Sequence, residues 1–152
     1  MKDNPSISIG NCGEYFVAAE LERRGFSVAV PMSNTPMFDL LALERANPSN
    51  QIAIQVKASE KRQRSFLLNK KCENIIGGHI FYVFISLNGM ENPEYFIVPS
   101  AVVAKTVKEG HARWLKTPGR KGQAHNDSSM RRFEVNESDK DAWQLLYSSK
   151  TK

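Results

Sequence analysis

The alternation of apolar and polar residues predicts a chain that begins with a helix and continues with several short strands. Apolar positions through residues 11–24 form one broad helical face, and Gly25 follows where a helix C-cap belongs. The stretch 79–87 is almost wholly apolar, which is typical of a strand buried on both faces of a sheet. Shorter strands are predicted at residues 26–30, 38–43, 51–57, 94–98 and 132–135, with 38–57 forming a hairpin.

Helical patterns return in the second half of the chain. A helix is predicted within 64–76, and others from 99 to about 108 and over 140–147, while 32–36 and the polar, basic stretch of about 116–130 are predicted to be loops. A helix, then strands, then further helices predicts an α/β fold in which a central mixed β-sheet is flanked by helices.

Length and composition predict a single domain over residues 1–152. A chain of 152 residues buries enough surface to form a core without disulfides or metal. The two cysteines, Cys12 and Cys72, form no C-x-x-C pair and are expected to be reduced thiols. No apolar run approaches the length of a membrane span, and residues 1–5 carry no apolar signal core, so we expect a cytoplasmic protein.

Several function classes lack their motifs in this sequence. The three histidines, His79, His111 and His125, show no zinc-binding spacing. There is no phosphate-binding P-loop, no dinucleotide-binding glycine fingerprint and no serine nucleophile elbow. The sequence therefore favours neither nucleotide hydrolysis, nor dinucleotide binding, nor serine esterase chemistry.

Positive charge is concentrated in two segments. The chain has a formal net charge of +5 and a pI near 9.3. Residues 57–73 contain six basic and two acidic residues, and residues 105–132 contain eight basic and two acidic residues. Two solvated faces would explain this pattern, and so would a surface that binds a polyanion such as DNA.

Polar residues interrupt the predicted hairpin at one end. Asp39 is the only charged residue in its strand, while Gln55 and Lys57 share one face of the next strand by its two-residue period. Folding the hairpin about its turn places residue 39 opposite about residue 56, so we expect Asp39 close to Gln55 or Lys57. A structural Asp39–Lys57 salt bridge is one explanation, and a functional site is the other.

Glu14 extends this polar group. It follows Gly13 in a helix that must pack on the sheet. Gly13-Glu14 near the start of a helix, Asp39 in an apolar strand, and Gln55-x-Lys57 sixteen residues later resemble the PD-(D/E)xK nuclease superfamily. That superfamily includes type II restriction enzymes and archaeal Holliday junction resolvases, and residues 13–26 resemble the first helix and strand of the resolvase-like branch. The resemblance covers about residues 10–60, and the core that it implies continues to about residue 100.

The resemblance implies a restriction-endonuclease-like sandwich and a role for each matching residue. Asp39 corresponds to the central metal ligand, Gln55 to the (D/E) position and Lys57 to the catalytic lysine. Glu14 corresponds to a helix glutamate that serves as a further ligand or anchors a water, and Ser59 to a polar residue near the scissile strand. The chain departs from the motif at two positions: Phe38 stands where proline is usual, and Gln55 is a glutamine variant of the acidic residue.

The implied cofactor is Mg²⁺, with Mn²⁺ as a substitute. Oxygen ligands suit this ion, and the candidates are Asp39, the side-chain oxygen of Gln55, the carbonyl of Val56, and Glu14. The metal would activate the scissile phosphate and the attacking water, and Lys57 would stabilise the developing charge. Because Gln55 replaces an acid, this site holds one negative charge fewer than the full motif.

The expected function is therefore metal-dependent endonucleolytic hydrolysis of DNA phosphodiester bonds. Two alternatives are a catalytically decayed nuclease fold that binds DNA, and a protein-interaction or immunity-type domain. Cutting both strands would favour a homodimer. Candidate contacts to nucleic acid are Ser59, Lys61, Arg62, Arg64, Arg113, Lys116, Arg120, Lys121, Arg131 and Arg132.

Overall fold

A mixed β-sheet with a long helix on each face dominates the computed structural model, which describes residues 5–32 and 36–148. The elements in chain order are α1 (Pro5–Arg23), β1 (Phe26–Ala29), β2 (Leu40–Glu44), β3 (Gln51–Ser59), β4 (Ser65–Asn69), β5 (Ile80–Ser86), β6 (Glu94–Pro99), α2 (Ser100–Lys116) and β7 (Met130–Glu134). Short 3₁₀ turns lie at Lys70–Asn74, Glu137–Asp139 and Trp143–Leu146. Most of the loop predicted at 32–36 lies outside the described residues.

The large sheet has the strand order β1-β2-β3-β5-β6. Strands β3 and β5 are parallel, and the other neighbours are antiparallel. The antiparallel β2–β3 pair is the predicted hairpin, and β5 is buried along its whole length in the centre of the sheet. The α/β fold with a central mixed sheet and flanking helices is thus confirmed.

Helix α1 covers one face of this sheet. Val17 and Leu21, four residues apart, are fully buried against Ile54, Val83 and Ile97 of three neighbouring strands. This spacing is that of the apolar face of a helix, which agrees with the sequence pattern. The helix begins earlier than predicted, at residue 5, and Gly25 follows its end with the positive φ of 94° that glycine accepts without strain.

A close approach fixes α1 on β3. A Cβ atom built on Gly13 would lie 2.6 Å from Ala58 Cβ and 3.2 Å from Ile85 Cγ2. Only a residue without a side chain fits at this distance. The contact holds Glu14, the next residue, beside the same part of β3.

The opposite face of the sheet is covered by α2 and by a second, two-stranded sheet of β4 and β7. Val103 and Val107 of α2 are buried there with aromatic residues of β5 and β7. The Phe84 ring lies 5.6 Å from Tyr82 and 5.0 Å from Phe133, centroid to centroid. Such ring pairs add to the stability of an apolar core.

Two predicted helices are wrong. Residues 64–76 form β4 and a 3₁₀ turn, because Phe66 and Leu68 alternate into the core and β4 pairs with β7. The predicted closing helix at 140–147 is broken by Asp141, whose φ is +51°, and only the short turn Trp143–Leu146 follows. In contrast, α2 continues to Lys116, beyond the predicted end near 108. The prediction ended too early because the last turns of the helix are exposed and lack an apolar pattern.

No helix in the described part of the chain has the length and hydrophobicity needed to cross a membrane.

Candidate active site

Asp39 lies at the point where β2 meets β3. Strand β2 begins at the next residue, and the Asp39 N–H donates to the carbonyl of Ile54 at 2.8 Å. Leu40 is paired with Ile54, so Asp39 stands beside Gln55, one residue away from the predicted partner position. Oδ2 of Asp39 accepts two hydrogen bonds, from Nε2 of Gln55 at 2.6 Å and from the Val56 N–H at 2.7 Å.

These two bonds orient the carboxylate of Asp39. Both end on Oδ2, so Oδ1 has no hydrogen-bond partner among the described residues. Burial raises the pKa of Asp39, whereas the Val56 N–H and the positive charge of Lys57 act in the opposite direction. The carboxylate is thus half-buried and positioned, with one oxygen left for another ligand.

Gln55 and Lys57 lie on the same face of β3, as their spacing predicted. In the parallel register Gln55 is beside Tyr82 and Lys57 is beside Phe84, so both face the side of the sheet that α2 covers. Both side chains are half-buried. No described carboxylate oxygen lies within ion-pair distance of the Lys57 ammonium, so a direct Asp39–Lys57 salt bridge is not formed.

Glu14 reaches this group from the other side of the sheet. Its helix packs on the opposite face, but β2 pairs with β3 only as far as Ile54, which leaves the following residues of β3 open on that side. Burial raises the pKa of Glu14, the charge of Asp39 raises it further, and Lys57 lowers it. Glu14 thus lies within the electrostatic influence of both Asp39 and Lys57.

The carboxylates suit a hard divalent cation. Burial raises the pKa of both acids, and the charge of Asp39 raises the pKa of Glu14 further, so such an ion would stabilise the ionised form of both. The described residues contain no group of three or more His, Cys, Asp or Glu side chains arranged to hold a metal. A metal here would therefore rely on Glu14 and Asp39 together with neutral oxygens, for which Gln55 and the Val56 carbonyl are the candidates.

Sequence reasoning missed two residues beside this site. Tyr82 is 1% exposed, and its pKa is raised by burial, by Cys72 and by the charge of Asp39. Burial and Glu73 raise the pKa of the Cys72 thiol to about 11, and Lys57 is close enough to lower it. Tyr82 stood in the apolar strand predicted at 79–87 and Cys72 was expected only to be a reduced thiol, and only the register of β5 against Gln55 could have indicated that Tyr82 is near.

The first basic segment follows β3 directly, and its candidate contacts are partly paired. The Ser59 hydroxyl donates to the carbonyl of Lys61 at 2.8 Å. Arg62 forms an ion pair with Glu94 at 3.0 Å, and Arg64 forms one with Glu137 at 2.9 Å. Lys61, Arg62 and Arg64 are nevertheless exposed, and they stay candidate contacts to nucleic acid.

The second basic segment contributes exposed side chains from the end of α2, from the loop after it and from β7. Arg132 is exposed and donates to the Ser65 hydroxyl at 2.9 Å. The other exposed members are Arg113, Lys116, Arg120 and Lys121.

Arg131 is buried and does not belong with the exposed candidate contacts. Its side chain is 7% exposed and pairs with the carboxylate of Glu73, and its guanidinium also donates to the carbonyls of Ser128 and Met130. A guanidinium whose donors are already used inside the protein stabilises the fold. The sequence pattern could not distinguish it from its exposed neighbour Arg132.

Comparisons with known proteins identify the fold. No protein-family model matches the chain, and no curated protein matches it. Among solved structures, it is similar to the bacterial homing endonuclease I-Ssp6803I, with 12% sequence identity and a TM-score of 0.51 over 91% of this chain and 88% of that one. It is also similar to Hjc, a Holliday junction resolvase from the archaeal hyperthermophile Archaeoglobus fulgidus, with 14% identity and a TM-score of 0.49 over 85% and 84% of the two chains. At 12% identity the likeness to the homing endonuclease establishes the fold alone, and this chain has a restriction-endonuclease-like α/β fold.

Proposed function

We propose that this protein hydrolyses phosphodiester bonds in DNA with the help of a divalent metal ion, Mg²⁺ or its substitute Mn²⁺. The observation that carries the proposal is the half-buried carboxylate of Asp39, which is held by Gln55 and the Val56 N–H beside Lys57, a residue on the same face of β3 as Gln55. A positioned carboxylate near an ammonium, with the charge of Glu14 close enough to be affected by both, is typical of a site that binds a cation and an anionic substrate together. The fold shared with a homing endonuclease supports the same function.

The residues that would hold the metal are Asp39, Glu14, the amide oxygen of Gln55 and the carbonyl oxygen of Val56. A bound divalent cation would polarise the scissile phosphate and make its bound water more acidic. Hydrolysis would form a bond between the water oxygen and phosphorus and break the bond between phosphorus and the leaving oxygen. The leaving oxygen would take up a proton and become a hydroxyl group.

The protein's own groups have separate parts in this scheme. Gln55 and the Val56 N–H hold Oδ2 of Asp39, so that Oδ1 faces the ligand in a fixed orientation. Lys57 places a positive charge where negative charge develops on the phosphate. Glu14 would act as a further metal ligand or would anchor a water beside the metal.

One observation favours a second function, that of a DNA-binding module without turnover. The amide nitrogen of Gln55 is used to hold Asp39, and the described residues offer no third acidic, histidine or cysteine side chain to join Asp39 and Glu14 around a metal. An interaction or immunity-type domain is supported less well, because the Asp39–Lys57 salt bridge on which it relied is not formed.

Cleavage of linear, nicked and branched DNAs, with Mn²⁺, with Mg²⁺ and with EDTA, tests the proposal. Asp39→Ala and Lys57→Ala are expected to abolish cleavage, and Lys57→Ala is expected to leave metal binding intact. Gln55→Glu is expected to tighten divalent-metal binding. The matched control is Gln51→Glu, which adds the same carboxylate at an exposed position of the same strand and is expected to change neither property.

The outcomes separate the candidate functions. Cleavage that survives Asp39→Ala would refute the mechanism. A wild type that does not cut, yet binds DNA with a salt slope of about −0.9 per neutralised phosphate, would support the binding module instead. Absence of DNA binding at low salt would refute both and leave the interaction domain. Sedimentation of the chain with and without DNA tests whether it acts as a homodimer.

A further inference from the structure

One edge of β3 has no partner strand beyond Ile54. Strand β2 pairs with β3 only from Gln51 to Ile54, whereas β5 pairs with it as far as Ser59. The last residues of β3 therefore have a strand on one side only. A backbone group that faces the other side needs a side chain, a water or a ligand as its partner.

The hydrogen bonds around β3 show which backbone groups face this edge. The Ala53 N–H donates to the carbonyl of His79 at 2.8 Å, on the side of β5. In a strand, the N–H and C=O of one residue point to the same side, and those of the next residue point to the other. Val56 and Ala58 therefore point away from β5, and the bond from the Val56 N–H to Asp39 agrees with this.

The N–H of Ala58 is an unused donor on this edge. It has no hydrogen-bond acceptor among the described residues. Its position is fixed by the helix, because α1 approaches so closely that a Cβ atom built on Gly13 would lie 2.6 Å from Ala58 Cβ. A donor that is held in place before a ligand arrives needs little reorganisation when it binds.

The same edge already binds an anionic oxygen. The Val56 N–H donates to Oδ2 of the Asp39 carboxylate at 2.7 Å. The Ala58 N–H lies two residues further along, a distance of roughly 7 Å in a strand, and the Val56 carbonyl lies between the two donors. The edge thus offers an oxygen suited to a cation directly beside an N–H suited to an anion, and unpaired sheet edges are known to bind anions.

The surrounding charges decide which anion fits. Asp39 and Glu14 oppose any anion here, whereas Lys57, between the two edge residues, and the exposed Lys61 and Arg62 favour one. An anion is therefore favoured when a divalent cation accompanies it and offsets the two carboxylates. A phosphate diester binds together with a metal ion in this way.

We propose that the Ala58 N–H binds a phosphate oxygen of the DNA strand at the candidate active site, in the place where β3 lacks a partner strand. The inference rests on the proposed function, because it takes DNA phosphate and a divalent metal as the occupants of the site. It adds a donor that carries no side-chain chemistry. A backbone N–H directed at a phosphate oxygen positions the strand and stabilises negative charge that develops on it.

Nuclear magnetic resonance of the full chain, with isotope-labelled alanine, observes this N–H directly. Spectra are recorded for the chain alone, with Mg²⁺, with a short duplex DNA, and with both. With both, the Ala58 amide proton is expected to move downfield and to exchange with solvent at least roughly tenfold more slowly, as for one hydrogen bond to a charged group. Ala53 is the matched control, since its N–H is already bonded to His79 and is expected to change little. The signal that disappears in Ala58→Gly identifies Ala58.

A backbone substitution tests the role of the donor. Building lactic acid into the chain in place of Ala58 replaces one amide by an ester, which removes the N–H and keeps the methyl group. Where the wild type cuts DNA, kcat/KM is expected to fall roughly 10- to 150-fold, and Mn²⁺ affinity is expected to stay the same because this N–H does not contact the metal. The same exchange at Ala101 is the control, because its N–H lies in the first turn of α2 and has no acceptor within the helix.

Two results would overturn the inference. One is an Ala58 signal that stays unchanged when fluorescence anisotropy shows that the duplex is bound in Mg²⁺. The other is slow exchange of the Ala58 amide in the free chain, which would mean that the N–H already has an acceptor. If Ala58 responds to DNA and nothing is cut, this inference stands and hydrolysis fails. A chain that binds no duplex in Mg²⁺ refutes both proposals.

Discussion

Adding one methyl group at Gly13 tests whether close packing of α1 on β3 determines the position of Glu14. In Gly13→Ala the new Cβ would lie 2.6 Å from Ala58 Cβ, 3.2 Å from Ile85 Cγ2 and 3.5 Å from Val56 Cγ1. Ala58 Cβ is attached directly to the backbone and cannot rotate away. The helix must therefore move off the strand.

The magnitude follows from two opposing effects. Replacing glycine by alanine within a helix stabilises it by about 1 kcal/mol. Forcing a methyl group into a tightly packed contact costs about 1–3 kcal/mol. We therefore expect Gly13→Ala to lower the free energy of unfolding, by up to about 2 kcal/mol. On the proposed function, it is also expected to weaken divalent-metal binding, because Glu14 moves with the helix.

Gly10 provides the control, since it lies in the same helix and a Cβ there would meet no atom within 4 Å. Gly10→Ala is expected to stabilise the chain by about 0.5–1 kcal/mol. Urea unfolding of the two variants measures the difference, and Ala58→Gly is expected to rescue Gly13→Ala. If Gly13→Ala stabilises the chain as much as Gly10→Ala does, the close approach is not what positions Glu14.

Two further predictions concern ion pairs away from the candidate site. Arg131→Met leaves the Glu73 carboxylate without its guanidinium and is expected to lower the free energy of unfolding by about 3 kcal/mol. Adding Glu73→Gln is expected to restore part of this loss. A loss below about 0.5 kcal/mol in chemical unfolding would show that the pair contributes little. The hydrogen bond from Lys140 holds the pKa of Glu94 below its ordinary value of 4.5, so the ionised carboxylate stabilises the fold above about pH 4.5, and this contribution is lost as the pH falls through the lowered pKa. The stability difference between wild type and Glu94→Gln is therefore expected to be largest near neutral pH and to disappear in acid, and a difference that grows in acid would contradict this account.

The parts of the fold that were predictable are those in which local pattern and tertiary environment agree. The two-residue period of β3 placed Gln55 and Lys57 on one face, and the short turn before β3 brought Asp39 beside them. In contrast, β4 was predicted as a helix because its partner, β7, lies more than 60 residues away in the chain. Pairing over such a distance leaves no local signal, and the burial of Phe66 and Leu68 then overrides helix propensity.

The approach of Glu14 also depends on tertiary structure. Its helix packs on the face of the sheet opposite Gln55 and Lys57, against the part of β3 beyond Ile54 that β2 leaves unpaired. Sequence can indicate that a glutamate follows a close-packed glycine. It cannot indicate where a neighbouring strand begins, which is what opens the sheet at this point.

The neutral side chain of Gln55 determines how Asp39 behaves with and without a metal. Its amide nitrogen donates to Asp39 at 2.6 Å, so a neutral side chain supports the ionised carboxylate without any metal. In Gln55→Glu two carboxylates would face each other at that distance, and each would raise the pKa of the other. The variant is therefore expected to be less stable than the wild type in EDTA and to gain more thermal stability from Mn²⁺, because a ligand that binds only the folded chain stabilises it in proportion to its affinity. Thermal unfolding of both proteins with and without Mn²⁺ measures this difference, and an equal response of the two would show that residue 55 does not contact the metal.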